Sequence, residues 1–119
     1  MSWSFSSGSP VYLQIAERMK KSVLAGEYLA GAQVPTVRQL ALEAAVNPNT
    51  VQRAYTELEA EGIIESRGTM GNFVTEEQQR IDECRKKLAE DIVLNFLNDM
   101  NQLSVNTEEA IRLIREVTE

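Results

Sequence analysis

One segment of the sequence, residues 47–61, constrains the fold more than any other. Asn47 is a preferred helix N-cap residue, Pro48 suits the first helical position, and Gly62 suits the position just after a helix end. Between these signals the apolar side chains recur with the spacing of one helix face, and they are Val51, Ala54, Tyr55 and Leu58. The sequence therefore predicts a helix with one buried face. Its opposite face carries Asn49, Gln52, Arg53 and Thr56.

The neighbouring segments complete a helix-turn-helix with a β-wing. Upstream, Thr36 follows a proline, and Gln39 lies three residues later, which is the spacing of a capping box. Downstream, β-type runs at 63–66 and 72–75 flank four residues that include two glycines and therefore predict a tight hairpin turn. In a helix-turn-helix the second helix enters the major groove of DNA. The polar side chains of helix 47–61 are suited to base edges and phosphates.

The first 34 residues predict one more helix and leave one segment undecided. A helical apolar period extends over residues 10–25, Gly26 ends it, and a short strand is expected at 33–34. Residues 1–9 are rich in serine but contain Trp3 and Phe5. This segment is either a flexible tail or an arm that packs its aromatic rings on the domain.

The last third of the sequence predicts a helical dimerisation region. Thr75 and Gln78 repeat the capping-box spacing before a helix that extends to about Asn101. Asn106 or Thr107 then caps a final helix, whose apolar residues Ile111, Ile114 and Val117 are expected to lie inside.

From residue 88 onward the apolar side chains of the long helix occupy more than one face, so other helices must pack against it on several sides. We expect a second copy of the chain to pack on these faces, and packing on the winged domain is the alternative. The predicted dimerisation residues are Leu88, Ile92, Val93, Phe96, Leu97, Met100, Ile111 and Ile114.

These patterns together predict an α+β fold that is mainly α. A winged helix-turn-helix DNA-binding domain is expected at residues 1–75, followed by a C-terminal helical dimerisation segment at residues 76–119.

Composition narrows the function classes. The 119 residues include no histidine and a single cysteine, Cys84, which argues against a disulfide framework, a structural zinc site and any cofactor held by such ligands. No nucleophile–base pair is evident, so we do not expect an enzyme. No apolar run reaches the roughly 18 residues of a membrane span, and the N-terminus lacks a signal-peptide pattern. We expect a cytoplasmic protein without membrane contact.

The formal net charge of −6 is unusual for a protein that binds DNA. The charge is unevenly distributed, which makes DNA binding more plausible. Six basic and seven acidic residues precede residue 76, whereas six basic and eleven acidic residues lie from residue 76 onward. Most of the excess negative charge therefore lies outside the predicted DNA-binding domain. We expect modest non-specific affinity and tight binding only as a dimer.

The motifs resemble those of the GntR family of bacterial winged-helix regulators, and the short helical C-terminal region resembles its YtrA subfamily. The resemblance covers about residues 10–75, at 10–15, Gly31, 34–41, 49–51, 54–55, 58–59, 61–63 and 71–74. It implies a homodimer that binds a near-palindromic operator, usually represses, and often controls nearby transporter genes. This chain departs from many members at Pro48 and Gln52, where they carry basic residues.

The predicted contacts with double-stranded DNA come from both lines of reasoning. The resemblance assigns Arg38 to phosphate or guanine, Thr50 to the backbone and Gly71 to the wing tip, whereas Arg67 is a wing candidate for phosphate. Arg38 could instead pair with Glu27 or Glu43. The full predicted set is Thr36, Arg38, Asn47, Asn49, Thr50, Gln52, Arg53, Arg67 and Gly71.

Two other functions compete with DNA regulation at this stage. A winged-helix module for protein contacts would suit the acidic charge and the uncharged wing tip, and a small enzyme is the weaker alternative. The sequence does not distinguish base contacts from phosphate contacts for Asn49, Gln52 and Arg53, and it does not identify a small-molecule effector.

Overall fold

The computed structural model describes residues 3–119, which form five α-helices and one two-stranded antiparallel sheet. The helices are α1 (Val11–Leu24), α2 (Val37–Ala44), α3 (Pro48–Ala60), α4 (Gln78–Gln102) and α5 (Thr107–Thr118), and the strands are β1 (Ile64–Ser66) and β2 (Asn72–Val74). This is the predicted α+β, mainly helical fold. None of the helices within residues 3–119 is long and apolar enough to cross a membrane.

The residues pack into two units. One unit extends to Cys84 and contains α1, α2, α3, the sheet and the first turns of α4, where Ile81 is buried. The other unit is Arg85–Glu119.

The core of the first unit lies between α1, α2 and α3. Helix α1 contributes Ile15 and Met19, and α2 contributes Leu40. The predicted inner face of α3 is confirmed, because Val51, Ala54, Tyr55 and Leu58 are all nearly inaccessible to solvent. Burial of these apolar side chains fixes which face of α3 remains outside.

The predicted caps of the helix-turn-helix are confirmed. The Thr36 hydroxyl accepts the Gln39 N–H at 3.1 Å, and the Gln39 side chain accepts the Thr36 N–H at 2.9 Å, so α2 begins with a capping box. Ala45 turns the chain with a left-handed φ of 56°. The Asn47 side chain then accepts the Asn49 N–H at 2.8 Å and caps α3.

The wing is the hairpin β1–β2, with Ile64 opposite Val74 and Ser66 opposite Asn72. Its tip is one 3₁₀ turn, Gly68–Met70, within the four residues where the glycines predicted a tight turn. Gln33 adds an isolated bridge to Phe73, so a single bridge residue stands where a short strand was expected at 33–34.

The predicted capping box at the start of α4 is wrong. The Thr75 hydroxyl accepts the N–H of Glu77 at 3.2 Å, and the Gln78 side chain donates to Asp82 at 3.0 Å instead of returning to Thr75. The reason is that Thr75 is buried and continues the sheet, where its N–H donates to the Ile63 carbonyl at 2.9 Å. The helix therefore begins only at Gln78.

In the second unit, the cap of α5 is Asn106, whose side chain accepts the Glu109 N–H at 2.9 Å. The expectation that Ile111, Ile114 and Val117 lie inside is wrong for the single chain, because all three are exposed. Only Ala110 of this helix is buried. The apolar face of α5 is therefore presented to solvent rather than to the chain's own core.

The described part of the N-terminal segment is an arm packed on α1. The Gln14 side chain donates to the carbonyls of Ser6 at 2.9 Å and Ser9 at 2.8 Å, and it accepts the Ser6 N–H at 3.0 Å. The Arg18 guanidinium lies 3.8 Å from the centre of the Trp3 ring. Residues 1 and 2, which the tail-or-arm question also concerned, lie outside the described residues.

Candidate nucleic-acid interface

The outer face of α3 is polar and open. Asn49, Gln52, Arg53 and Thr56 are exposed, and they lie opposite the buried face that packs on α1 and α2. The Thr56 hydroxyl is already used, because it donates to the Gln52 carbonyl at 2.9 Å. The side chains of Asn49, Gln52 and Arg53 thus remain as the exposed groups for base edges and phosphates.

Arg38 is exposed on α2, in the first turn of the helix. Among residues 3–119 it forms no ion pair, so the alternative pairing with Glu27 or Glu43 does not occur in this structure. Its guanidinium is therefore available to an external anion.

The N-terminal ends of α2 and α3 carry no acidic side chain in their first turns. By contrast, α5 places Glu108 and Glu109 in its first turn, where they compensate the positive end of the helix dipole. Thr36 and Asn47 cap α2 and α3 through their side chains, and Thr50 is half-buried in the first turn of α3. Helix N-termini without acidic compensation favour the approach of phosphate, and Arg38 lies in the first turn of α2.

Arg53 has one partner that the sequence did not suggest. Its guanidinium carbon lies 3.9 Å from the centre of the Tyr12 ring, which is half-buried at the start of α1. In the sequence Tyr12 stands beside the apolar repeat of α1. No sequence signal links residues 12 and 53, because the contact depends on how α1 crosses α3.

The wing arginine is strongly held within the domain. The Arg67 guanidinium lies 4.3 Å from the centre of the Phe73 ring and forms ion pairs with Glu65 at 3.6 Å and Glu76 at 3.4 Å. It would have to exchange carboxylate partners for a phosphate in order to contact DNA.

The wing tip is fastened to the loop before α2. The Gln33 side chain donates to the Met70 carbonyl at 3.0 Å. Gly71 has a φ of 106°, and a Cβ at this position would lie 2.8 Å from the Gln33 side-chain nitrogen. Gly71 is thus required for both the backbone conformation and the close approach. Gln33 is a positioning residue that no sequence pattern singled out.

Two contacts fix α3 relative to its neighbours. The Glu59 carboxylate accepts the Ser66 N–H at 3.0 Å, which joins α3 to the wing. Lys20 forms a 2.7 Å ion pair with Glu61 at the end of α3, and this hydrogen bond raises the pKa of Lys20. The outer face of α3 is therefore held on a rigid scaffold formed by α1 and the hairpin.

The predicted dimerisation residues lie in the second unit. Ile92, Val93, Ile111 and Ile114 are exposed, whereas Leu88, Phe96, Leu97 and Met100 are half-buried. Leu94 and Leu103, which are not among the predicted dimerisation residues, are also exposed apolar residues of α4 and of the turn that follows it.

This fold and this surface define a winged helix-turn-helix protein that binds DNA. Residues 11–74 match the family described as "Bacterial regulatory proteins, gntR family". The chain belongs to the GntR family, and the resemblance seen in its motifs is confirmed.

The similarity extends over nearly the whole chain. The HTH-type transcriptional regulator YhcF of Bacillus subtilis (strain 168) is 38% identical over 97% of this chain and 95% of its own length. The HTH-type transcriptional repressor YtrA of the same organism is 34% identical over 94% of this chain and 87% of its own length. A solved GntR family transcriptional regulator from Listeria monocytogenes has a TM-score of 0.89 at 35% identity, covering 94% of this chain and 98% of that chain. The chain is thus a DNA-binding transcription regulator and not an enzyme.

Proposed function

We propose that this protein is a transcriptional repressor that binds a near-palindromic operator as a homodimer. The observation that carries the proposal is the exposed face of α3, where Asn49, Gln52 and Arg53 stand opposite a fully buried apolar face. A helix presented in this way fits the major groove, and amide and guanidinium groups match the base edges and phosphates found there.

The remaining predicted contacts fit around α3. Arg38 and the N-termini of α2 and α3 would bind phosphates, with Thr36, Asn47 and Thr50 in or beside the first turns of those helices. Gly71 allows the wing backbone to approach the minor groove closely. Arg67 would join the phosphate contacts if a phosphate replaced its carboxylate partners.

The homodimer is proposed from the exposed apolar side chains of the second unit. Isoleucine, valine and leucine residues of α4 and α5 are exposed in the single chain, and a second copy would remove them from water. Two winged domains related by a two-fold axis would contact half-sites about 34 Å apart, one turn of DNA.

We propose repression as the direction of regulation, because the similar protein YtrA is a transcriptional repressor. Repression requires only that the dimer occupy promoter DNA. Genes for transport proteins are the proposed targets, on the resemblance to the YtrA subfamily alone, and the cytoplasm is the proposed location.

The proposal is tested by fluorescence anisotropy with labelled duplexes. One duplex carries the DNA immediately upstream of the protein's own gene, and the other carries the same bases in shuffled order, from about 50 to about 200 mM salt. Arg38→Ala should weaken binding by about 1–3 kcal/mol and reduce the salt slope by about 1. The matched control is Arg85→Ala, because Arg85 is exposed in the second unit and has no ion pair among the described residues.

Tight binding to the upstream duplex that exceeds binding to the shuffled duplex and weakens with salt would support the proposal. Equal and feeble binding to both duplexes would favour the competing function, a winged-helix module for protein contacts. An Arg38→Ala protein that is folded and binds as the unmodified protein does would refute the role of Arg38.

A further inference from the structure

Tyr12 and Arg53 form a pair that joins the first helix to the outer face of α3. The guanidinium carbon lies 3.9 Å from the ring centre, within the distance of a cation–π interaction. Arg53 forms no ion pair with any of residues 3–119, so the ring is its principal partner.

An aromatic partner affects an arginine differently from a carboxylate partner. Stacking on a ring holds the flat guanidinium in place while its N–H groups, which lie in the plane, remain available to other acceptors. Arg67 shows the opposite case, because Glu65 and Glu76 occupy its guanidinium and offset its charge. The Tyr12 contact thus leaves Arg53 with its full positive charge and its donors.

Tyr12 is itself held in place. Residues 13 and 14 donate their N–H groups to the Pro10 carbonyl at 3.1 and 3.3 Å, which closes the first turn of α1 around it. The Gln14 side chain ties this turn to the arm through Ser6 and Ser9. One turn later Ile15 and Met19 are buried in the core. The backbone that carries the half-buried ring is therefore fixed on the scaffold, so the ring can determine where Arg53 lies.

We infer that Tyr12 is a positioning residue for DNA binding: its ring holds the Arg53 guanidinium on the outer face of α3 before DNA arrives. An arginine side chain loses roughly 2 kcal/mol of rotamer entropy when it is fixed, and ordering it in the free protein removes part of that cost from the binding step. The inference rests on the proposed function, because it requires Arg53 to contact DNA.

A double-mutant cycle tests the inference with the upstream and shuffled duplexes. The variants are Tyr12→Leu, Arg53→Ala and the combination, with Tyr12→Phe as the conservative variant that keeps the ring. Tyr12→Leu should weaken binding to the upstream duplex about two- to fivefold, the factor expected for a cation–π contact at an exposed site. Its salt slope should not change, because the charge of Arg53 remains.

Two further results are expected. Tyr12→Phe should bind as the unmodified protein does, since the phenol hydroxyl has no hydrogen-bond partner among the described residues. In the Arg53→Ala background, Tyr12→Leu should cause no further loss, because the pair no longer exists. Thermal unfolding of each variant verifies that the winged domain is folded.

The inference is overturned if Tyr12→Leu binds normally, if Tyr12→Phe is as weak as Tyr12→Leu, or if Tyr12→Leu causes the same loss with and without Arg53. It is also overturned if Arg53→Ala binds normally while the unmodified protein still discriminates between the duplexes, and in that case the proposed function stands. Failure of the unmodified protein to discriminate would overturn both.

Discussion

At the scale of single residues, Tyr55 shows how one side chain connects the two helices of the DNA-binding motif. Its ring is in the core on α3, and its hydroxyl donates to the Pro35 carbonyl at 2.6 Å, just before α2. Burial is the main cause that raises the pKa of Tyr55, so the neutral phenol is the form that the fold accommodates. The residue is structural and lies on the buried face of α3, as its place in the apolar period predicts.

Tyr55→Phe should lower the free energy of unfolding by about 1 kcal/mol near neutral pH, because the Pro35 carbonyl loses its hydrogen bond. The raised pKa adds a pH effect. The folded state keeps the phenol proton above about pH 10, where the unfolded chain releases it, so this contribution to stability decreases as pH rises through that region. Chemical denaturation at neutral and alkaline pH measures the free energy of unfolding of both proteins. The difference between the unmodified protein and Tyr55→Phe should shrink as pH rises.

Tyr12→Phe is the matched control for this prediction. It also removes one phenol hydroxyl, but from a half-buried ring without a hydrogen-bond partner in the described part of the chain. At neutral pH its free energy of unfolding should be close to that of the unmodified protein. If the free energy of unfolding decreased equally at alkaline pH in the unmodified protein and in Tyr55→Phe, Tyr55 would not be the cause of the decrease.

At the scale of elements, the wing depends on a contact from outside the hairpin. Each strand is only three residues long, and a two-stranded hairpin of this size has little stability alone. Gln33 attaches the wing to the loop before α2 through Phe73 and the Met70 carbonyl. Glu59 attaches the wing to α3 through Ser66. The wing is therefore positioned by the loop before α2 and by α3 itself.

Gly71→Ala should disturb this attachment. A Cβ would displace the Gln33 amide from the Met70 carbonyl, and the backbone at φ 106° disfavours any side chain, at a cost of about 1–3 kcal/mol. We expect lower stability in chemical denaturation and weaker binding to the upstream duplex. Gln33→Ala should reproduce the loss of binding without the backbone strain.

Gly68→Ala is the control at the other end of the same turn. Its φ is 61°, and a Cβ there would meet no atom within 4 Å, so it adds backbone strain but no contact with Gln33. Its stability should also fall, by roughly 1–2 kcal/mol. If it weakened DNA binding as much as Gly71→Ala does, strain in the wing and not the Gln33 attachment would explain both.

The elements also show which parts of this molecule its sequence predicts. The caps at Thr36, Asn47 and Asn106 and the buried face of α3 depend on residues within a few positions, so local patterns predicted them correctly. The cap at Thr75 failed because long-range pairing with Ile63 determines where the strand ends. Tyr12 and Gln33 were missed for the same reason, since their partners are 41 and 37 residues away.

At the scale of the whole molecule, the charge balance leads us to expect weak DNA binding by a single winged domain. The protein carries a net charge of −6, and the basic residues before residue 76 do not outnumber the acidic ones. Affinity for DNA depends strongly on neutralised phosphates, so one copy contributes few favourable contacts. Two linked copies bind with greater avidity because the second contact becomes intramolecular. The proposed dimer therefore determines whether the outer face of α3 can act at physiological salt.

The second unit supplies the test of that dimer. Ile92 is 57% exposed in the single chain, so Ile92→Asp should leave the fold intact while placing a charge in the proposed interface, where burial without a partner is costly. Light scattering should report a dimer for the unmodified protein and a monomer for Ile92→Asp and Leu97→Asp. Leu42→Asp, which replaces a 79% exposed leucine on α2, should remain a dimer. If Ile92→Asp and Leu97→Asp both remained dimeric, the copies would associate through another surface.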